Sequence, residues 1–215
     1  MDAVVFVSIL LSLSMLLLLR LLFVIAFKSI ESSALPLRIH PCKTLVVLGS
    51  GGHTAEMLKL LSGVNLSNYS PRTYVVASTD KMSAGKVSLL EESMGCSVVD
   101  VRTIPRARRV GQSWLTTPLT TLHSTLRSMT VVCACKPEVV LCNGPGTCIP
   151  VCLWAFLLKL CFAANARIVY VESVCRVQHL SLSGLLLYYI ADALLVQWPQ
   201  LKQKYPRTIY CGRLV

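Results

Sequence analysis

Apolar positions fall into two regimes along this chain. From Ala3 to Phe27 every residue is apolar or small except Arg20. As a helix rising about 1.5 Å per residue, that run is about 37 Å long, more than the roughly 30 Å of a bilayer's hydrocarbon layer. Arg20 lies near one end, where its long side chain can reach the interface. The preceding flank carries Asp2 rather than a basic cluster, and the run exceeds the apolar core of a cleaved signal peptide. Residues 1–28 are therefore expected to be a membrane-spanning anchor. Ser32, Ser33, Pro36 and Pro41 then break any regular pattern, and residues 29–43 read as a linker.

Beyond residue 43 short β-branched apolar runs alternate with helix-like stretches. Strands are expected at Thr44–Leu48, Thr73–Ser78, Ser97–Thr103, Glu138–Cys142, Arg167–Glu172, Leu194–Gln197 and Thr208–Cys211. Helices are expected at Thr54–Leu61, Ser83–Ser93, Thr117–Val132 and Cys148–Phe162. Continuous apolar strands alternating with helices predict an α/β fold, in which residues 44–215 form one doubly wound, mostly parallel, Rossmann-like sheet domain behind the N-terminal transmembrane helix. The stretch Cys148–Phe162 is nearly all apolar, but it is short for a span and contains Lys159. A buried helix, or one leaning on the membrane, fits it better.

Composition narrows the class. The apolar fraction is 54% and the charged fraction 14%, which excludes a disordered chain. The length suits one well-buried domain after the anchor, not two. Lys and Arg exceed Asp and Glu by 21 to 10, a balance that suits anionic lipid or a phosphorylated substrate. No stripe of basic residues interleaved with aromatics is present, which argues against nucleic acid as a partner. Lys28, Arg38 and Lys43 follow the apolar run while only Asp2 and the terminal amine precede it, so the main domain is expected in the cytosol. The sequons at Asn65 and Asn68 should then carry no sugar. The ten cysteines form no CxxC pair and no zinc spacing. Cys142, Cys148, Cys152 and Cys161 sit in apolar runs, where a reduced thiol acts as a small hydrophobe.

Three unusual segments follow strands, where an open parallel sheet holds its ligands. The first is Gly49-Ser50-Gly51-Gly52-His53-Thr54. Glycines there allow a close backbone approach, and the helix behind them offers free N–H groups to a phosphate. A plain tight turn capped by Thr54 is the bland alternative. The segment is neither the dinucleotide fingerprint, which would need glycine at position 54, nor a Walker loop. A nicotinamide enzyme is further disfavoured because no Tyr-x-x-x-Lys pair occurs. His53 is a candidate general base for a sugar hydroxyl, or a donor to phosphate. The second segment, Asn143-Gly144-Pro145-Gly146-Thr147, is a candidate second anion cradle with Thr147 as helix cap. The third is Glu172-Ser173, where Glu172 could anchor substrate hydroxyls or pair with Arg176. Arg106, Arg108 and Arg109 could neutralise a diphosphate, or form a solvated or membrane-facing basic loop. No Asp-x-Asp pair is present, so no metal ligand and no cofactor are expected from this chain.

These segments carry a family resemblance. Leu48 to Thr54 resembles the first glycine loop of glycosyltransferases that add N-acetylglucosamine to lipid diphosphates, whose bacterial peptidoglycan member has a similar GGTGGH turn. Leu141–Thr147, Tyr170-Val171-Glu172-Ser173 and Val196-Gln197-Trp198-Pro199 together resemble the membrane-anchored subunit of the eukaryotic UDP-N-acetylglucosamine transferase of the dolichol pathway. The resemblance covers nearly the whole chain. It implies the acceptor half of a GT-B enzyme, with the donor UDP-N-acetylglucosamine held mainly by a separate soluble subunit at the endoplasmic reticulum membrane. The implied reaction adds the second N-acetylglucosamine to N-acetylglucosaminyl-diphosphodolichol, with inversion, by a complex whose membrane subunit is inactive alone. Gly51, Gly52 and His53 fall on the acceptor loop. Glu172 falls near the strand-end acid of the bacterial relatives, with Val-Glu-Ser-Val in place of His-Glu-Gln-Asn. The stretch from Trp198 to Val215 is the implied partner contact. The competing reading is a non-catalytic scaffold that only recruits the partner.

Overall fold

Seven short strands pair into one wholly parallel sheet in the computed structural model, which describes residues 3–27, 40–95, 98–108, 111–144 and 146–215. In chain order the elements are α1 (Ala3–Phe27), β1 (Thr44–Val47), α2 (Gly52–Ser62), β2 (Arg72–Ala77), α3 (Ser83–Ser93), β3 (Asp100–Ile104), α4 (Thr117–Cys135), β4 (Val139–Asn143), α5 (Cys148–Leu160), β5 (Arg167–Val171), α6 (Leu182–Leu187), β6 (Ala193–Val196), α7 (Pro199–Lys204) and β7 (Ile209–Tyr210). The strand order is β3-β2-β1-β4-β5-β6-β7. The chain winds outward from β1 to β3, then returns through α4 to place β4 on the other side of β1. That reversal leaves a crevice at the carboxyl ends of β1 and β4.

Side-chain alternation explains why the central strands are apolar throughout. All four residues of β1 are buried, and successive residues point to opposite faces of the sheet. Val46 and Leu48 join Met57 and Leu61 of α2 and Val87 of α3 in one core. Leu45 and Val47 join Val132 of α4, Val151, Cys152 and Ala155 of α5, Leu187 of α6 and Leu201 of α7 in the other. A strand covered on both faces cannot carry polar positions cheaply. At the edge, β3 exposes Arg102 and Thr103.

The α5 helix is a buried sheet-covering helix. Its Lys159 pairs with Asp192 at 2.8 Å, and the other Asp192 oxygen accepts the Ile168 N–H at 2.8 Å. Cys142, Cys148 and Cys152 are fully buried, with Cys142 and Cys152 sulfurs 3.4 Å apart. Hydrogen bonding with Cys148 and Cys152, together with burial, pushes the Cys142 thiol well above its ordinary value. Cys161 departs from expectation: α5 ends at Leu160 and leaves that thiol exposed.

The α1 helix runs for 25 residues, and its carboxyl-terminal end meets α5, with Leu21 against the core and the Arg20 guanidinium 4.0 Å over the Phe162 ring. Among the described residues no helix is long and apolar enough to cross a membrane. Several side chains of α1 fall outside that set, so the spanning role of α1 stands as a proposal. Residues 28–39, most of the expected linker, lie outside the described residues. Cys42, at the linker's end, is already part of the fold, donating its N–H to Asn68 O at 2.9 Å.

Candidate functional site

Two loops meet at the crevice, each leading into a helix. Gly51 is the residue before α2 and has φ +65°, a conformation that disfavours a side chain. Gly52 is a different case. Its φ is ordinary, and a Cβ there would meet nothing within 4 Å. The same holds for Gly146 before α5. The fold itself does not require glycine at either position, and both sit where a ligand would approach the backbone. Neither α2 nor α5 has a side-chain cap or an acidic residue in its first turn. Both leave uncapped N–H groups and the positive end of the helix dipole at the crevice, the arrangement that holds phosphate. Thr147 does occupy the cap position of α5, but its side chain makes no capping bond, contrary to its expected role.

The side chains in the two loops divide into those that shape the crevice and those that face it. Gly49 is buried and Ser50 exposed. Thr54, expected to contact the ligand or cap the helix, is fully buried. Its hydroxyl, within hydrogen-bond reach of both Gly49 O and the Ser83 oxygen 2.6 Å away, has one proton to give between them, while Ser83 donates to Asp80 Oδ2 at 2.6 Å. Thr54 thus fastens the glycine loop to the start of α3. Burial raises the Asp80 pKa, but hydrogen bonds from the Ser83 side chain and from the Ser83 and Met82 amides, with the charge of Arg106, hold it below the ordinary carboxylate value. Arg106 therefore stands near the first loop, with its Nε buried and unbonded. Arg108 does not: its guanidinium lies 4.0 Å over the Trp114 ring and donates to Gln112 O. Arg109 and Pro145 lie outside the described residues.

His53, on the first turn of α2, is the side chain that both loops converge on. Its Nδ1 is 2.9 Å from Asn143 Oδ1, across 90 residues of chain. Asn143 is almost fully buried, and its Nδ2 donates to Glu56 Oε2 at 2.9 Å. Ser173 donates to Glu56 Oε1 at 2.7 Å. The amide of Asn143, expected to bind the acceptor, is thus occupied inside the chain. Gly144, with φ +68°, leaves room for the imidazole: a Cβ there would lie 2.3 Å from its Nδ1 and Cε1. The His53 side chain keeps 37% of its surface exposed while Glu56 keeps 13%. The ring therefore faces the crevice and the carboxylate backs it.

Sequence reasoning passed over Glu56. The available signal was its position three residues after His53, one helical turn along the same face, as the first acid in α2. Glu172, in contrast, is turned away from the crevice. It is fully buried, accepting from the Ser173 N–H at 3.1 Å, the Ser181 N–H at 2.8 Å and the Ser181 hydroxyl at 3.0 Å. Its partners are those serines rather than Arg176, and Gly184 leaves it space. Glu172 anchors the loop that enters α6 and does not line the crevice, because each strand-end acid oxygen is taken by the chain's own donors.

Toward the carboxyl terminus, Gln197 ties β6 to the chain end. Its Nε2 donates to Glu172 O, and its Oε1 accepts from the Leu214 and Val215 amides. Trp198 donates to Val174 O at 2.7 Å. On α4 and the turn before it, Trp114, Leu115, Leu119, Leu122 and Leu126 are exposed. Trp114 and Leu122, with Thr117, Thr121 and Thr125, line an open groove of about 530 Å³ that reaches Leu153 of α5.

Known proteins share this architecture and much of this sequence. The profile of the family described as oligosaccharide biosynthesis protein Alg14 like matches residues 44–214. The UDP-N-acetylglucosamine transferase subunit ALG14 of Homo sapiens is 50% identical over 179 residues, 80% of this chain and 82% of its own. The subunit of the same name from Yarrowia lipolytica is 46% identical over 206 residues, 93% of this chain and 94% of its own. Among solved structures, MurG of Acinetobacter baumannii superposes with TM-score 0.53 at 17% identity, covering 74% of this chain and 43% of that one. A putative UDP-N-acetylglucosamine 2-epimerase from Listeria monocytogenes gives 0.57 at 16%, covering 78% and 42%. At those identities the likeness is one of fold, and this chain spans less than half the length of either solved structure. From the match across the whole sheet domain and the identity to these transferase subunits, the chain belongs to the Alg14-like family of oligosaccharide biosynthesis proteins.

Proposed function

We propose that this chain is the acceptor-binding subunit of a UDP-N-acetylglucosamine transferase that adds the second N-acetylglucosamine to N-acetylglucosaminyl-diphosphodolichol. The observation that carries the reading is the pair of uncapped helix starts, α2 and α5, with Gly52 and Gly146 open beneath the crevice. They suit the diphosphate of the lipid. His53 beside them takes the proton of the acceptor sugar hydroxyl at Nε2 as the oxygen attacks the donor's anomeric carbon. The bond from that carbon to the diphosphate of UDP breaks, the leaving group keeps the electron pair, and the configuration inverts.

The donor half is supplied by a separate soluble subunit. The relatives that this chain matches over most of their own length are named as transferase subunits, which supports that division, and the chain is inactive alone. α1 anchors the subunit in the endoplasmic reticulum membrane with its amino terminus lumenal and the sheet domain cytosolic. The exposed leucines of α4 lie on the same side of the sheet as the α1–α5 contact, which suits a domain resting on a lipid surface.

The test is transfer of labelled N-acetylglucosamine from UDP to an N-acetylglucosaminyl-diphosphate lipid, by this chain alone and with the soluble subunit. Activity only in combination is expected. Activity from this chain alone would place the donor site here and end the division of labour. A complex that turns over normally with His53→Ala would leave only the scaffold role.

A further inference from the structure

We propose that Glu56 and Asn143 are positioning residues that hold His53 in the tautomer whose Nε2 carries the lone pair. The inference rests on the role of His53 as base in the transfer above. It starts from Ser173. The Ser173 oxygen accepts the Cys175 N–H at 3.3 Å, so its own proton is free to point at Glu56 Oε1, 2.7 Å away. An ionised carboxylate can only accept. The second oxygen, Oε2, therefore takes a donor too, and the group 2.9 Å from it must be the Asn143 NH₂. Turning that amide over would set two acceptor oxygens against each other.

With its nitrogen committed to Glu56, Asn143 presents Oδ1 to His53 Nδ1 at 2.9 Å. Oδ1 offers only lone pairs, so Nδ1 carries the imidazole proton. In the neutral ring Nε2 then has none. Among the described residues no group hydrogen-bonds Nε2. Donation converges on Glu56: Ser173 donates to one oxygen, while His53 donates to Asn143, which donates to the other. Gly144 makes the ring's seat, since any Cβ there would displace it from Asn143. When Nε2 takes the acceptor's proton, the new positive charge on the ring lies near Glu56, whose Oε2 is 3.7 Å from Nδ1. One carboxylate thus selects the reactive tautomer and steadies the imidazolium that follows.

The direct measurement is ¹⁵N NMR of the full chain, labelled with ¹⁵N-histidine and reconstituted in lipid nanodiscs with the soluble subunit, at a pH where the imidazole is neutral. The His53 signals are identified by their loss in His53→Gln. The expected result is a protonated Nδ1 and an unprotonated Nε2; a predominant Nε2–H form overturns the proposal. In Glu56→Ala the amide is free to turn, so the tautomer preference should relax. kcat should fall at least about tenfold with acceptor KM little changed, within the range that general-base catalysis supplies. A Glu56→Ala protein that folds, keeps the Nδ1–H tautomer and turns over normally also overturns it. The wild-type tautomer needs no variant, so a misfolded Glu56→Ala does not remove the test. An inactive His53→Ala complex with an Nε2–H wild type would sink the positioning chain alone. Full turnover by His53→Ala would remove the base role, and the purpose of the positioning chain with it.

Discussion

The imidazole of His53 lies against the α-carbon of Gly144, so closely that a methyl group there would come within 2.3 Å of two ring atoms. The two residues come from opposite sides of the topological switch, and their contact fixes where the proposed base stands. Gly144→Ala should therefore act twice. The positive φ costs about 1–2 kcal/mol for a residue with a side chain, lowering Tm by a few degrees. The ring must also leave Asn143, and a displacement of about 1 Å at a reacting group costs on the order of a hundredfold. Turnover of the reconstituted complex, compared with its melting curve, separates the two effects. A variant with lowered Tm but full kcat would show that the seat does not matter.

Gly52→Ala reverses that signature. The added Cβ meets no atom of the chain and sits at an ordinary helical φ, so stability should hold or rise by up to about 1 kcal/mol. If lipid diphosphate approaches this backbone, acceptor KM should increase while Tm does not fall. Gly146→Ala, on the other loop, should behave alike. Unchanged KM in both would place the diphosphate elsewhere.

Glu172 is expected to matter for stability and not for chemistry. Glu172→Ala strands the buried Ser181 N–H, at about 1–3 kcal/mol for an unpaired buried group. For a domain this size that is a Tm loss on the order of 5 °C. Per folded molecule, kcat and acceptor KM should stay within about twofold of wild type. A large kcat loss with intact Tm would restore Glu172 as a reacting group.

Asp80 makes the glycine loop sensitive to acid. Its folded pKa lies below the ordinary 3.8, so below that pH the unfolded chain binds more protons than the folded one. The stabilisation is complete above pH 3.8 and fades as pH falls through the folded value. Asp80→Asn should flatten the acid limb of the stability profile between those values. Equilibrium unfolding from pH 2 to pH 6 reads it, and an identical acid limb in the variant would rule it out.

The parts of the fold legible in the sequence were those in which burial dictates composition. β1, β4 and β5 are covered on both faces, so their runs of Val, Leu and Ile announce them, and the observed ends differ from the expected ones by a residue or so. α6 and α7 left no periodic signal because each has six residues, fewer than two turns. At the site, glycines after a strand are visible in sequence, so the loops that the fold brings together around His53 could be named from it. Side-chain direction was not visible. Thr54, Asn143 and Glu172 sit in those loops but bond inward, since buried backbone and side-chain donors there need partners. Glu56 escaped notice because an acid on a helix is ordinarily a solvated one, and only the fold brings Asn143 and Ser173 to it.

The sheet order also has a kinetic consequence. β1 pairs with β2 across the crossover through α2, but with β4 only after the whole first half of the domain has been made. His53 cannot meet Asn143 until that second pairing forms. Because loop closure and non-local pairing slow assembly, a chain released early would hold ordered strands and helices around an unoriented imidazole. Competence for transfer is in that sense a report that β4 has docked beside β1, and during refolding it should lag behind the recovery of helical signal.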